Sequence, residues 1–153
     1  MKPILCLDFD GVLHSYTSGW KGAAVIPDPP VPGSLEFIVK ALDTYEVAIF
    51  SSRSHQWGGK RAMKRWLIKH LVAADTGDYA TTPAWWRNQI CKSAFADPWN
   101  DEVLWAAKLV VDEIKWPWFK PPAKVTLDDR ALTFTGTWPA IETLDAFKPW
   151  NKA

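Results

Sequence analysis

Three short apolar runs, each broken at its carboxyl end by residues that carry chemistry, constrain this chain more than any other feature. Ile4 to Phe9 runs into Asp8, Asp10 and Gly11; Glu46 to Phe50 runs into Ser51; Val125 to Leu127 runs into Asp128 and Asp129. Runs of this length predict parallel strands buried on both faces. Stretches of helical period lie between them. One opens at Gly33-Ser34, with Ser34 as its expected N-cap and Leu35, Phe37, Ile38, Leu42 and Tyr45 as its apolar stripe. Another follows Gly58-Gly59, marked by Met63, Trp66, Leu67, Leu71 and Val72, and shorter helices are expected around Trp85 to Ala94, Glu102 to Val111 and Ala140 to Phe147. Residues 15–32, with Gly19, Gly22 and Pro27-Asp28-Pro29-Pro30, read as a loop or flap excursion. Strands alternating with helices predict an α/β fold, an open parallel sheet with helices on both faces.

The whole chain, residues 1–153, fits a single domain able to bury its own core. A helix fills much of the interval between Asp10 and Ser51, which leaves no room for a large cap domain there. Residues 54–113 form a helical elaboration that either makes a lid over the strand ends or packs behind the sheet. The apolar fraction of 48% and charged fraction of 23% are those of a globular chain, and a net charge of +1 argues against a strongly charged surface over the whole molecule. Cys6 and Cys91 lack metal-ligand spacing and fit a reduced, cytoplasmic setting. After Met1-Lys2-Pro3 only Ile4 to Leu7 are apolar before Asp8, too few for a signal peptide or a membrane span. Neither a membrane nor an obligate protein partner is expected.

In open parallel sheets ligands bind beyond the carboxyl ends of the strands, where all these reactive residues stand. Their chemistry suits phosphoryl transfer. A carboxylate attacking an anionic phosphomonoester needs a cation to neutralise the phosphoryl oxygens, and Mg²⁺ prefers hard oxygen ligands. Asp8 with Asp128 or Asp129 can supply them. Asp10, past the strand end, can face the leaving oxygen and donate a proton, for which it needs a raised pKa. Ser51 can hydrogen-bond a phosphoryl oxygen, and a lysine can offset charge in the transition state.

At these residues the chain resembles the haloacid dehalogenase (HAD) superfamily. Leu5-Cys6-Leu7-Asp8-Phe9-Asp10-Gly11-Val12-Leu13 looks like its first motif, Ile49-Phe50-Ser51 its second, and Leu127-Asp128-Asp129-Arg130 its fourth. The resemblance implies a three-layer Rossmann-like sheet and a phosphatase in which Asp8 forms an aspartyl-phosphate. It also implies Mg²⁺ held by Asp8, the Asp10 carbonyl and an acid of the Asp128-Asp129 pair. The third motif is a lysine, and Lys115, Lys120 and Lys124 all precede the acidic pair. Lys120 is favoured, because Lys124 begins the third strand, roughly 13 Å or more from its carboxyl end at ~3.3 Å per residue. The segment from Lys120 to Arg130 is similar to the deoxyribonucleotidase branch of the superfamily and to small phage and prophage HAD proteins.

Arg53, Lys60, Arg61, Lys64, Arg65 and Lys69 follow one another without an intervening acid, and form either an anion-attracting wall or a solvated helix face. Of the 11 tryptophans, most are expected in packing, but Trp20 and Trp57 lie in loops overhanging the strand ends and are candidates for stacking on a base. Ser52 and Arg53 are further candidates for substrate binding, whereas His14, His55 and His70 lack ligand spacing and receive no role. The expected substrate is a small phosphorylated molecule, a nucleotide or the phosphorylated end of a nucleic acid. A metal-dependent nuclease and a non-catalytic nucleic-acid or protein-binding module are the competing readings. A phosphate-receiving signalling domain would carry its acidic pair before the phosphorylated Asp, the reverse of the order here.

Overall fold

The structure is a computed structural model that describes residues 1–94 and 101–152. Strand β1 (Ile4–Leu7) lies at the centre of a parallel sheet, with β2 (Glu46–Ile49) on one side and β3 (Val125–Leu127) on the other. Leu7 pairs with both Ile49 and Leu127, so the residues that follow each strand emerge at one edge of the sheet. Lys115 adds a single parallel bridge to Ala48 outside β2.

Leu5, Leu7, Val47 and Ile49 point to one face and join a core completed by α1 (Ser34–Thr44), α2 (Gly59–Ala73), α3 (Ala84–Ala94) and α4 (Glu102–Glu113). The helices interlock pairwise, α1 with α3, α3 with α4 and α4 with α2. Met63, Trp66, Leu67 and Leu71 bury the face of α2 at the spacing expected of an amphipathic helix. Each fully buried aliphatic side chain contributes roughly 1.5–3 kcal/mol relative to exposure. The described helices of the stretch 54–113 therefore share one core with β1 and β2. Its residues 95–100, where the weak pattern from Asp75 to Asn100 ends, lie outside the described residues.

Several expectations are met only in part or corrected. Among the described residues the core joins the helices to the Leu5, Leu7, Val47 and Ile49 face, and the return from α4 to β3 runs through Pro117, Pro121 and Pro122, which cannot continue a helix. Strand β3 is an edge strand with Val125 43% and Leu127 39% exposed, rather than a buried one. Among the described residues nothing packs over it as the central strand is packed, since residues 131–149 are almost wholly exposed, the short helix α5 (Ile141–Asp145) included. Finally, Gly33, in a left-handed conformation, is the N-cap of α1; Ser34 sits inside the first turn, with its hydroxyl turned to the Leu13 carbonyl at 3.4 Å. Phe37 also leaves the apolar stripe, which Ile38, Ala41 and Leu42 carry instead. Among the described residues no helix is long and apolar enough to cross a membrane.

Leu67→Ala should destabilise the fold by about 2–5 kcal/mol, while Leu132→Ala, at an exposed position, should cost no more than about 0.5 kcal/mol. Urea unfolding monitored by circular dichroism checks the ranking, and comparable losses would contradict this placement of the core.

Candidate active site

The parallel register brings the ends of β1 and β3 together, and the Asp8 amide donates to the Leu127 carbonyl at 2.9 Å. Carboxylate oxygens of Asp8, Asp128 and Asp129 consequently lie within 4.8 Å of one another. The Phe9 amide donates to Asp8 Oδ1 at 2.7 Å, which favours the ionised form. Burial works the other way and dominates; with the charges of Asp128, Asp129 and Asp10 it pushes the Asp8 carboxyl up to about 7. Burial likewise raises Asp129, with Asp128 adding to it.

Asp129 is the strongest mark of a missing partner. Both its carboxylate oxygens are buried without a hydrogen-bond donor among the described residues, and Arg130 Nε stands 3.9 Å away. Buried carboxylates are ordinarily paired or bound to metal. Three converging carboxylates, one of them unsatisfied, match the hard oxygen ligands that Mg²⁺ takes, so the residues present fit that ion. Asp128 is more exposed and accepts the Arg130 amide at 2.9 Å.

Gly11 makes the approach possible. A Cβ there would collide with the Asp129 carboxylate, and its φ of +85° belongs to the left-handed region that favours glycine. The turn it belongs to is closed by the Leu13 and His14 amides, both donating to the Phe9 carbonyl.

Beyond the acids lies a cleft of about 300 Å³. Asp8, Asp10, Ser51, Ser52, Lys120 and Asp128 all line it, as does Arg130. Cys6 and Thr126, on the sheet face away from the helical core, form its floor, and the Cys6 thiol is pushed up by burial. Ser51 is buried and caps the 3₁₀ turn Ser52–His55, accepting the Arg53 amide at 3.4 Å while its own amide donates to Ser54 Oγ at 3.1 Å. Lys124 does not reach the cleft; its amide donates to the Ile4 carbonyl at the opposite end of the sheet. The helical stretch 54–113 contributes no lining residue, so among the described residues it forms no lid.

Asp10 differs from expectation. Burial would raise its pKa, but hydrogen bonds from His14 and Arg53, together with the Arg53 charge, outweigh burial and lower it. Arg53 Nε lies 2.8 and 3.1 Å from the two Asp10 oxygens, and His14 Nδ1 lies 2.9 Å from Oδ1. Asp10 is thus held as a carboxylate, a proton acceptor at rest rather than a ready donor.

Arg53 is not a substrate-facing residue. Its side chain is wholly buried, and Nη1 donates to the flap carbonyls of Gly22, Ala23 and Val25 at 2.8–3.2 Å. Trp20 lies 4.6 Å from that guanidinium, so it stacks on Arg53 and does not line the cleft. Trp57, 97% exposed, borders a neighbouring groove instead.

Two residues of the site carry little sequence signal. His14 is fully buried and accepts the Asp28 amide at Nε2 (3.1 Å), which places its proton on Nδ1, facing Asp10. Its position four residues after Asp10, directly behind the apolar pair Val12-Leu13, was the available hint. Tyr16 lines the cleft with a φ of 57°, an uncommon conformation for a bulky residue and one that clusters at functional sites. No signal in the sequence marks it.

Comparison with known protein families, curated proteins and solved structures finds no match to this chain.

The raised Asp8 pKa sets a stability test. A carboxyl raised in the folded state supports folding below its unfolded pKa of about 3.9, and that support is lost as pH rises through about 7. In chelator, Asp8→Asn should melt at a higher temperature than the native chain at about pH 8, and the difference should shrink toward about pH 4. Mg²⁺ should raise the melting temperature of the native chain more than that of the variant. Melting curves with and without Mg²⁺ decide it; a variant less stable at every pH would mean that Asp8 is not under strain.

Proposed function

We propose that this chain is a Mg²⁺-dependent phosphomonoester hydrolase of the HAD type that works through an aspartyl-phosphate on Asp8. The observation that carries the reading is the buried Asp129 carboxylate, unsatisfied among the described residues, beside Asp8 and Asp128, which line a cleft together with Ser51 and Lys120. On this reading the fold is a HAD-like Rossmann sheet whose return crossover is a proline-interrupted segment without a helix.

Mg²⁺, bound by Asp8, Asp129 or Asp128 and the Asp10 carbonyl, would neutralise the phosphoryl oxygens and so let an anion approach phosphorus. An Asp8 carboxylate oxygen then attacks, the ester P–O bond breaks, and the leaving oxygen takes up a proton from water. Ser51 donates to a phosphoryl oxygen, and Lys120 supplies positive charge from the wall of the cleft. Water subsequently attacks the aspartyl-phosphate, releasing phosphate and restoring Asp8. Asp10, held ionised by His14 and Arg53, is suited to accept that water's proton. To serve as the acid of the first step, it must be protonated before the ester breaks.

Hydrolysis of p-nitrophenyl phosphate with Mg²⁺ or with chelator is the direct test. The expected result is activity only with Mg²⁺, lost in Asp8→Asn, whose amide keeps the shape but not the nucleophile. Equal turnover by that variant would end the assignment. Lys120→Ala should lower turnover on the order of 100-fold, the size of a lost transition-state contact, and Lys124→Ala should leave it nearly unchanged. The opposite ranking would transfer the role to Lys124.

A further inference from the structure

A second concavity, about 890 Å³ and larger than the cleft, runs along α2 on the outer side of the flap. Arg61, Arg65 and Lys69, spaced four residues apart on α2, line it from one helix face, and Lys60 joins them. No acid is among the residues lining it. Two tryptophans stand at its rim: Trp57, almost fully exposed, and Trp118, 61% exposed, whose ring lies 3.4 Å from Lys60 Nζ. Burial and the charge of Lys64 lower the Lys60 pKa, so an anion in the groove would relieve it.

Groove and cleft share walls. Ser51 and Ser52 line the cleft while His55, in the same 3₁₀ turn, lines the groove; Lys120 lines the cleft while Trp118 lines the groove. His55 bridges the two, with its ring 5.4 Å from Phe50, a cleft residue, and 6.0 Å from Phe119. A ligand with one end in the cleft can therefore continue over this aromatic wall onto the cations.

We infer that the groove seats the single-stranded nucleic-acid chain whose terminal phosphate enters the cleft. This substrate class rests on the phosphatase reading for its reacting end, but the groove itself does not depend on catalysis. Cations in a row match a phosphodiester backbone, and exposed indoles offer flat faces to bases whatever their sequence. An acidic peptide would satisfy the cations but leave the exposed Trp57 without a stacking partner. A sugar phosphate would be held by the cleft alone and would leave the groove empty.

The test uses a 5′-hydroxyl oligothymidylate of about ten nucleotides, labelled at its 3′ end, and follows its anisotropy on binding the full chain in chelator, with about two nucleotides as the short control. The decamer should bind at least about tenfold more tightly than the short control, and its affinity should fall on the order of 50-fold between about 50 and about 200 mM salt if four phosphates are neutralised. Arg61→Glu with Arg65→Glu, and separately Trp57→Ala, should each weaken decamer binding on the order of tenfold. Both should lower kcat/KM for the 5′-phosphorylated decamer by a similar factor and leave p-nitrophenyl phosphate turnover unchanged. Arg61→Gln with Arg65→Gln should give the same ranking if charge reversal unfolds the helix. Equal affinity for the short control, no effect of these substitutions, or tighter binding of polyglutamate of matched charge would overturn the inference. Decamer binding without phosphatase activity upholds the groove and sinks the reaction, and phosphatase activity without decamer binding does the reverse.

Discussion

Arg53 ties the loop after β1 to the flap from the turn that precedes α2. Its guanidinium has no exposed surface, yet it carries a full charge into the interior and meets Asp10 from the loop after β1 and three carbonyls from the flap. Removing a charge from water is costly, and breaking such a pair by deleting one partner typically costs about 3–5 kcal/mol because the other charge stays buried. Even so, Nη2 finds no partner among the described residues. The backbone of the same residue sets the start of α2, for a Cβ on Gly59 would collide with the Arg53 carbonyl oxygen. One residue therefore positions the flap, the helix and the carboxylate at the cleft, and its strong charge is used for architecture.

The acid cluster imposes the opposite constraint. Like charges brought to one strand end repel, and burial adds to the cost, as the raised pKa values of Asp8 and Asp129 indicate. A sheet of three short strands offsets this because its other face is closed by the helical core, with Leu5, Leu7, Val47 and Ile49 fully packed. The opposite face carries Cys6 and Thr126, which form the cleft floor. Core packing and the cleft floor occupy opposite faces of the same strands, which the period-two alternation of side chains permits.

That alternation also explains which parts of the structure are legible in sequence. Asp8, Ser51, Asp128 and Asp129 stand out because each ends an apolar run, and a parallel register brings run ends together whatever the details of packing. The helices of α2 and α4 are legible from their apolar spacing. The exposure of β3 is not, since Val125-Thr126-Leu127 reads as apolar whether or not another layer covers it. Arg53 has the sequence surroundings of a solvated arginine, and only the path of the flap, ending at the carbonyls of Gly22, Ala23 and Val25, turns it inward. The same inward turn reverses the expected pKa of Asp10, because a donor pair invisible in the sequence lies on its carboxylate.

Gly11 connects these two constraints. Its missing side chain leaves space that the Asp129 carboxylate occupies, and its amide donates to the His14 carbonyl, closing the turn that presents His14 to Asp10. Its own carbonyl accepts the Trp150 indole at 2.7 Å, while Asn151 Nδ2 donates to the Ser15 carbonyl at 3.3 Å. The chain after β3 is mostly exposed, yet its end returns to the turn that carries Asp10. Any larger residue at position 11 would push Asp129 from Asp8 and shift the carbonyl that Trp150 grips. The acid cluster and the anchoring of the C-terminal segment thus depend on the same absent methyl group.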